Sequence, residues 1–299
     1  METVWRPELP VDLGLTLGPL GRGRGDPTQR RTDDGALWRT TLTPAGPATY
    51  RLSQRVGEVH AQAWGDGAEW VIAGIPDLLG GRDTLDGFVP GHPLLERTHA
   101  RYPGLRMPRT NRVFEMLAPA ILEQKVTGQE ARSAFQTLVR RHGAPAPGPA
   151  PQGMRLPLPA ETWRRIPSWE YHRAGVDPQR MRTVMAAARV AGRLEEAAGM
   201  EPADALRRLR AVPGVGEWTA AEVAQRALGD PDTISVGDYH LAALVGWALA
   251  GRPFDDPEMV DYLEPWRGHR QRVVRLVEIS GAVKPRFGPR MTIQDHRAV

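Results

Sequence analysis

The sequence predicts a mainly α fold with a small α+β region near its N-terminal end, and three observations carry that reading. Helical periodicity with recurring caps dominates the later two thirds of the chain. Alternating apolar and polar residues are confined to Trp38 to Ala73, and glycine and proline punctuate the stretch that follows. The division expected is a small α+β domain over 1–98, a helical body over 99–284 and a C-terminal tail over 285–299.

With 299 residues, 41% of them hydrophobic, the chain can bury a sizeable core without covalent staples. The absence of cysteine excludes disulfides, thiol nucleophiles, thiolate zinc sites and any cysteine-held iron-sulfur cluster. No run of about 18 apolar residues occurs, and Met1 to Asp12 lacks the basic and apolar regions of a signal peptide. A cytoplasmic protein without a membrane partner is therefore expected. The formal net charge of +4 permits a polyanionic partner without demanding one. Lys125 and Lys284 are the only lysines; all other basic side chains but histidine are arginines, whose planar fork suits phosphate.

Taken in chain order, Gly21-Arg22-Gly23-Arg24-Gly25 misses the dinucleotide-binding spacing and reads as a flexible loop. Strands are expected around Thr40 and Leu42, around Tyr50 and Leu52, and over Val56 to Trp64, with the turn Gly65-Asp66-Gly67 leading into Trp70-Val71-Ile72. Short helical pieces occupy Asp77 to Arg101. Asn111 to Arg141 reads as two helices broken near Gly128, the first kinked or started by Pro119, the second with Ala134, Leu138 and Val139 on one face. Ala144 to Pro159 is a semi-rigid surface loop, helices resume at Ala160, and Arg180 to Ala198 is one long alanine-rich amphipathic segment. Ala203 to Arg210, Glu217 to Leu228, His240 to Ala250 and Arg270 to Ile279 complete the helices, and Lys284 to Val299 is an irregular strap or frayed end.

Between two of these helices lies Val212-Pro213-Gly214-Val215-Gly216, whose paired glycines can adopt positive φ and leave backbone N–H groups uncovered for a phosphate. The helix starting near Glu217 points its positive end at the same place. Taken alone, the motif is equally a tight helix-helix turn. Gly229 is expected to cap that helix, after which Asp230-Pro231-Asp232 turns the chain toward Asp238, which either caps the His240 helix or carries chemistry.

Leu206 to Leu249 resembles the core of the helix-hairpin-helix DNA glycosylase superfamily, which places a catalytic aspartate shortly after this hairpin, where Asp238 stands. Gly104-Leu105-Arg106-Met107-Pro108 with Phe114-Glu115, Ala120 to Thr127, and Pro265-Trp266-Arg267 are similar to the alkylpurine branch, the inducible type of bacterial 3-methyladenine DNA glycosylase. The resemblance implies a glycosylase helical body of two lobes with the active site between them. It also implies base excision repair of damaged duplex DNA by a nucleoid-associated monomer. Phosphate contacts would come from Pro213, Gly214, Val215, Gly216, Thr219 and Arg267. Gln124, Lys125 and Thr127 would form the wedge filling the gap left by the flipped base, though Lys125 replaces an apolar side chain and is otherwise a solvated helix-end lysine.

Breaking an N-glycosidic bond through an oxocarbenium-like sugar needs one negative charge near the deoxyribose, and an alkylated purine leaves without a dedicated acid. Asp238 at a helix N-terminus fits that role. The target must first leave the stack. Trp218 stands where bifunctional relatives carry the Schiff-base lysine, so hydrolysis without strand nicking is expected; its ring either lines the base pocket or packs in the core. Tyr239, Glu222 and Arg275 complete the expected pocket, the last two replacing aromatic walls and pairing with each other, contacting a cationic base or standing as surface charges. No cofactor is expected for catalysis, and a structural monovalent cation at the hairpin is allowed. His240 reads as a helix-start residue. The alternatives are a non-catalytic helix-hairpin-helix DNA-binding protein, or a glycosylase for deaminated or bulky purines.

Overall fold

The computed structural model describes residues 1–285. The expected C-terminal strap therefore falls, apart from its first residues, outside the described residues. The chain begins with β1 (Glu2–Trp5), α1 (Leu13–Leu17), β2 (Gln29–Arg31), β3 (Leu37–Thr43), β4 (Gly46–Arg55) and β5 (Glu58–Trp64). Helices follow: α2 (Ala68–Leu78), α3 (Pro93–Arg101), α4 (Val113–Leu122), α5 (Gly128–His142), α6 (Ala160–Arg165), α7 (Ser168–Arg173) and α8 (Pro178–Arg189). The remainder are α9 (Ala191–Glu195), α10 (Pro202–Arg210), α11 (Glu217–Val223), α12 (Leu241–Ala250), α13 (Asp256–Leu263) and α14 (Arg270–Ile279). A mainly α architecture with one small sheet is what the helical periodicity implied. Among the described residues no helix is long and apolar enough to cross a membrane.

The five strands form one antiparallel sheet in the order β1-β5-β4-β3-β2. Ala48, Tyr50 and Leu52 of β4 and Val59, Ala61 and Ala63 of β5 are buried in the same core as α2, the alternation that a half-buried strand requires. The other side is covered as well: Trp38 and Trp64 stack at 5.4 Å, and Met154 from the 144–159 loop joins them. Polar groups also fasten the sheet to the helices, because the Arg39 guanidinium and the Thr41 hydroxyl both donate to Glu115 of α4, at 2.9 and 2.7 Å.

Several expectations are corrected. Trp70, Val71 and Ile72 belong to α2 rather than a strand, since Ala68, Val71, Ile75 and Leu78 bury one helical face at spacings of three and four. Pro119 lies inside α4 rather than starting it, whereas the break expected near Gly128 is found at 123–127, after which Thr127 and Glu130 form a capping box for α5. Arg180 to Ala198 is not one helix, because α8 stops at Val190. α13, capped by Asp255 with Glu258, was not anticipated. The Gly21–Gly25 loop is pinned: the Gln136 amide donates to Arg22 O at 2.7 Å, and the Arg22 side chain is buried.

Two apolar clusters organise the helices. One unites the sheet and α2 with α4, α5, α8 and α11; the other gathers Leu95 of α3, Leu105, Met107 and Ile234 with residues of α12, α13 and α14. A buried ion pair fixes α14 in the second cluster, with Arg272 bonded to Asp83 and Asp83 Oδ2 accepting from Met107 N at 3.0 Å. A bidentate pair between Arg270 and Asp232 holds the start of α14 against the turn after α11.

Candidate active site

Val212 and Val215 are buried and anchor the turn between α10 and α11, while Pro213, Gly214 and Gly216 face solvent. Only one of the paired glycines uses positive φ. Gly214 has φ +88, and a Cβ there would lie 2.2 Å from Thr183 Oγ1 of α8. Gly216 is extended at φ −92 and ψ −171, serving as the N-cap position of α11. Among the described residues the amide N–H groups of Gly214 and Gly216 have no intramolecular acceptor, so the hairpin presents donors outward. Gly214→Ala is expected to cost about 1–3 kcal/mol through the clash and the strained φ. Gly216→Ala, with nothing within 4 Å of its Cβ, is expected to stay within about 0.5 kcal/mol; chemical denaturation of the two variants checks the contrast.

The loop between α4 and α5 is docked on this hairpin. Gln124 Nε2 donates to Gly214 O at 2.9 Å and to Thr219 Oγ1 at 2.8 Å. Thr219 is therefore a buried support beneath the hairpin, not an outward phosphate ligand. Thr127 uses its hydroxyl to cap α5. Lys125 is exposed, has φ +55 and makes no hydrogen bond or ion pair among the described residues. A non-glycine residue held at positive φ is uncommon, and here it carries the cation out from the tip of the loop.

Beyond α11 a π-helical turn, Ala224–Leu228, ends at Gly229 in the left-handed conformation. Asp230 then folds the loop by accepting from the amides of Asp232 and Thr233 at 2.8 and 3.0 Å. Gln225 Nε2 donates to Thr233 O and Ser235 Oγ, both at 2.9 Å, which leads the chain to Asp238. Asp238 Oδ1 accepts from His240 N at 2.8 Å and Leu241 N at 3.0 Å, capping α12, while Oδ2 accepts from Trp218 Nε1 at 3.2 Å. One side chain thus caps α12 and is held from the α11 side by Trp218.

Asp238 opens on a cleft of about 230 Å³ lined by both polar side chains and members of the second apolar cluster, Met107, Leu241 and Val274. Glu222, Gln225 and Arg226 come from the α11 side, Gln271, Arg275 and Glu278 from α14, and Leu241 and Leu244 from α12. No phenylalanine, tyrosine or tryptophan lines it. Glu222 and Arg275 meet in this cleft but do not pair. Each has a nearer partner on its own helix: Glu222 binds Arg226 at 2.7 Å and Ser235 Oγ at 2.6 Å, and Arg275 binds Glu278. Trp218 is not a wall; its indole N–H holds Asp238 instead. Tyr239 is 85% exposed, its ring against His240 and beneath Lys284. His240 does line the cleft, with its ring nitrogen 2.8 Å from Lys284 Nζ.

Burial alone would lower the Arg226 pKa, but the carboxylates of Glu222, Glu123 and Glu278 hold it above its ordinary value. Burial wins at Arg22, which falls below its ordinary value although Glu123 opposes the shift. Arg267 is exposed and paired with Glu264 at 2.6 Å, without contact to the hairpin or the cleft. Sequence reasoning missed Gln225, Ser235, Gln271 and Glu278. The last two were within reach, because Gln271, Arg275 and Glu278 share one helical face at spacings of four and three.

Among the described residues no group of three or more His, Asp and Glu that could hold a metal ion occurs. A monovalent cation at the hairpin would rest on backbone carbonyls, of which that of Gly214 already accepts from Gln124.

No protein-family model matches the chain. A curated Mycobacterium tuberculosis protein described as "Probable bifunctional transcriptional activator/DNA repair enzyme AlkA" is 32% identical over 218 residues, 70% of this chain and 43% of that protein. The chain thus spans less than half the length of the curated relative it matches. Among solved structures, 3-methyladenine DNA-glycosylase from Archaeoglobus fulgidus superposes with a TM-score of 0.77 at 18% identity, covering 93% of this chain and 98% of that one. The apo form of Clostridium acetobutylicum 8-oxoguanine glycosylase/lyase gives 0.70 at 11%, covering 93% and 95%. These likenesses establish a fold shared with solved DNA glycosylases, and they bear out the resemblance carried by the hairpin and its neighbours.

Proposed function

We propose that this protein is a base excision repair glycosylase that flips a damaged purine, alkylated in the first instance, out of duplex DNA and hydrolyses its N-glycosidic bond. The observation that carries this is Asp238, whose carboxylate is fixed by three donors in the wall of a cleft of about 230 Å³ and is tied through Trp218 to the helix that follows an outward-facing hairpin. Both of its oxygens already accept hydrogen bonds, so it acts as a preorganised negative charge for the sugar cation more than as a proton acceptor. The hairpin amides of Gly214 and Gly216 would hold a backbone phosphate, with Pro213 and Val215 shaping the turn. Lys125, with Gln124 bracing its loop, would enter the gap in the stack. This assigns DNA as the partner of a cytoplasmic monomer whose helical lobes flank the cleft and whose N-terminal sheet supports one of them.

Incubation with methylated DNA and with duplexes holding single defined lesions, followed by identification of the free base, tests the proposal. Release of no base from any of them removes it in favour of a DNA-binding role alone. The proposal includes hydrolysis without strand nicking, because Trp218 occupies the hairpin position where a lysine would form the Schiff base. The expected product is an intact abasic strand that breaks only after alkali, with no covalent adduct on borohydride treatment. An adduct through Lys284, whose amine lies beside His240, or through Lys125 would overturn that part.

A further inference from the structure

Gln271 lies in the first turn of α14, is 4% exposed and lines the same cleft as Asp238, yet its Oε1, turned into the protein, has no hydrogen-bond partner, and its Nε2 end is unbonded too. The other polar side chains of the cleft satisfy one another. Glu222 is held by Ser235 and Arg226, Gln225 by Thr233 O and Ser235, Arg275 by Glu278, and His240 by Lys284. Of the polar side chains lining the cleft, Gln271 alone makes no intramolecular hydrogen bond among the described residues. A buried amide left unpaired is unfavourable unless a ligand completes it. No phenylalanine, tyrosine or tryptophan offers the cleft a face on which a base might be selected by stacking, and its one aromatic lining side chain, His240, is engaged by Lys284.

We infer that Gln271 is a specificity-determining residue that reads the flipped base by hydrogen bonds, so that the cleft selects purines whose six-position edge offers a donor beside an acceptor. The inference rests on the glycosylase reading of the site. With neither end bonded, a half-turn about its terminal bond brings the amide oxygen to the cleft beside or in place of the N–H; a primary amide then offers an acceptor and a donor to an edge of the complementary kind, as it does with adenine N6 and N7. Hypoxanthine keeps such an edge in N1–H and O6, and N3-alkylated adenine keeps one in its amino group and the adjoining ring nitrogen. In 1,N6-ethenoadenine the extra ring ties up N1 and N6 and removes the N–H donor, leaving the Gln271 oxygen unpaired. A site built to hydrogen-bond its substrate discriminates strongly against an analogue lacking the group, because buried polar atoms then stay unmatched.

The test is single-turnover base release from two duplexes of identical sequence, one holding hypoxanthine and one ethenoadenine, by wild type and Gln271→Met. The hypoxanthine-to-ethenoadenine rate ratio is expected to fall about tenfold or more in the variant, and Gln271→Glu, which keeps an acceptor but loses the donor, to lie between the two. An unchanged ratio overturns the inference while leaving the glycosylase reading intact. Release of no base by the wild type, from these or from methylated duplexes, removes both. Should the Met variant fail to fold, the wild type still decides: free hypoxanthine is expected to raise its melting temperature more than free ethenoadenine, and equal shifts overturn the assignment.

Discussion

Replacing Asp83 by Ala is expected to destabilise the protein by about 3–5 kcal/mol, read as a shift of the denaturant midpoint. The carboxylate is buried and bonds Arg272, itself buried, which also donates to Thr84 O at 3.1 Å and lies over the Phe88 ring at 5.6 Å. Truncation leaves a buried guanidinium without its counter-charge, with only Thr84 O and His269 Nδ1 left to accept from it. The same change frees Met107 N, whose acceptor is Asp83 Oδ2, so the segment along the floor of the cleft loosens with α14. Removing both charges together, as Asp83→Leu with Arg272→Met, is expected to cost less than Asp83→Ala alone, because no unpaired charge remains. A double variant no more stable than the single one would show that the ion pair is not what holds α14 in place.

That pair joins residues 189 positions apart, and nothing local announces it. What was legible in the sequence is what local chemistry decides. The strands β3 to β5 announced themselves by alternation, and Gly229 by its place after a helix. Trp70-Val71-Ile72 misled because an aromatic and two β-branched residues in a row mimic a strand, whereas their burial follows the three-and-four spacing of α2. β1 and β2 escaped notice because strands of 4 and 3 residues draw their stability from partners elsewhere in the chain.

The site divides in the same way. Asp238 could be found because the hairpin, the turn and the cap follow one another over a short stretch. The cleft was legible only in part: the resemblance put Glu222 and Arg275 in it, but its other walls, from α11, α12 and α14, are brought together only by the fold. The Glu222–Arg275 pair, one of the alternatives the sequence left open, does not form for a local reason: Glu222 with Arg226 is an i,i+4 pair and Arg275 with Glu278 an i,i+3 pair, and such neighbours meet before distant ones do. Gln271 could be placed on the Arg275 face of its helix by spacing, but that its amide is buried and unpaired can be recognised only once its surroundings are known.

The largest functional effect is expected at Asp238. Asn retains an oxygen that can accept from His240 N and Leu241 N, so the cap on α12 and the fold are kept. It removes the negative charge and sets an amide N–H against the Trp218 indole N–H, which now donates to Asp238 Oδ2. Loss of one preorganised electrostatic contact typically lowers a rate by about 10²–10³, and the full charge facing a sugar cation places this variant at or beyond the upper end. DNA affinity, which depends on the hairpin and not on this carboxylate, is expected to change little. The decisive measurement compares single-turnover release of free base from one lesion-bearing duplex by wild type and Asp238→Asn, with DNA affinity measured alongside. Base release that collapses in the variant at near-unchanged affinity is the predicted result, and release at the wild-type rate would contradict the assignment of Asp238.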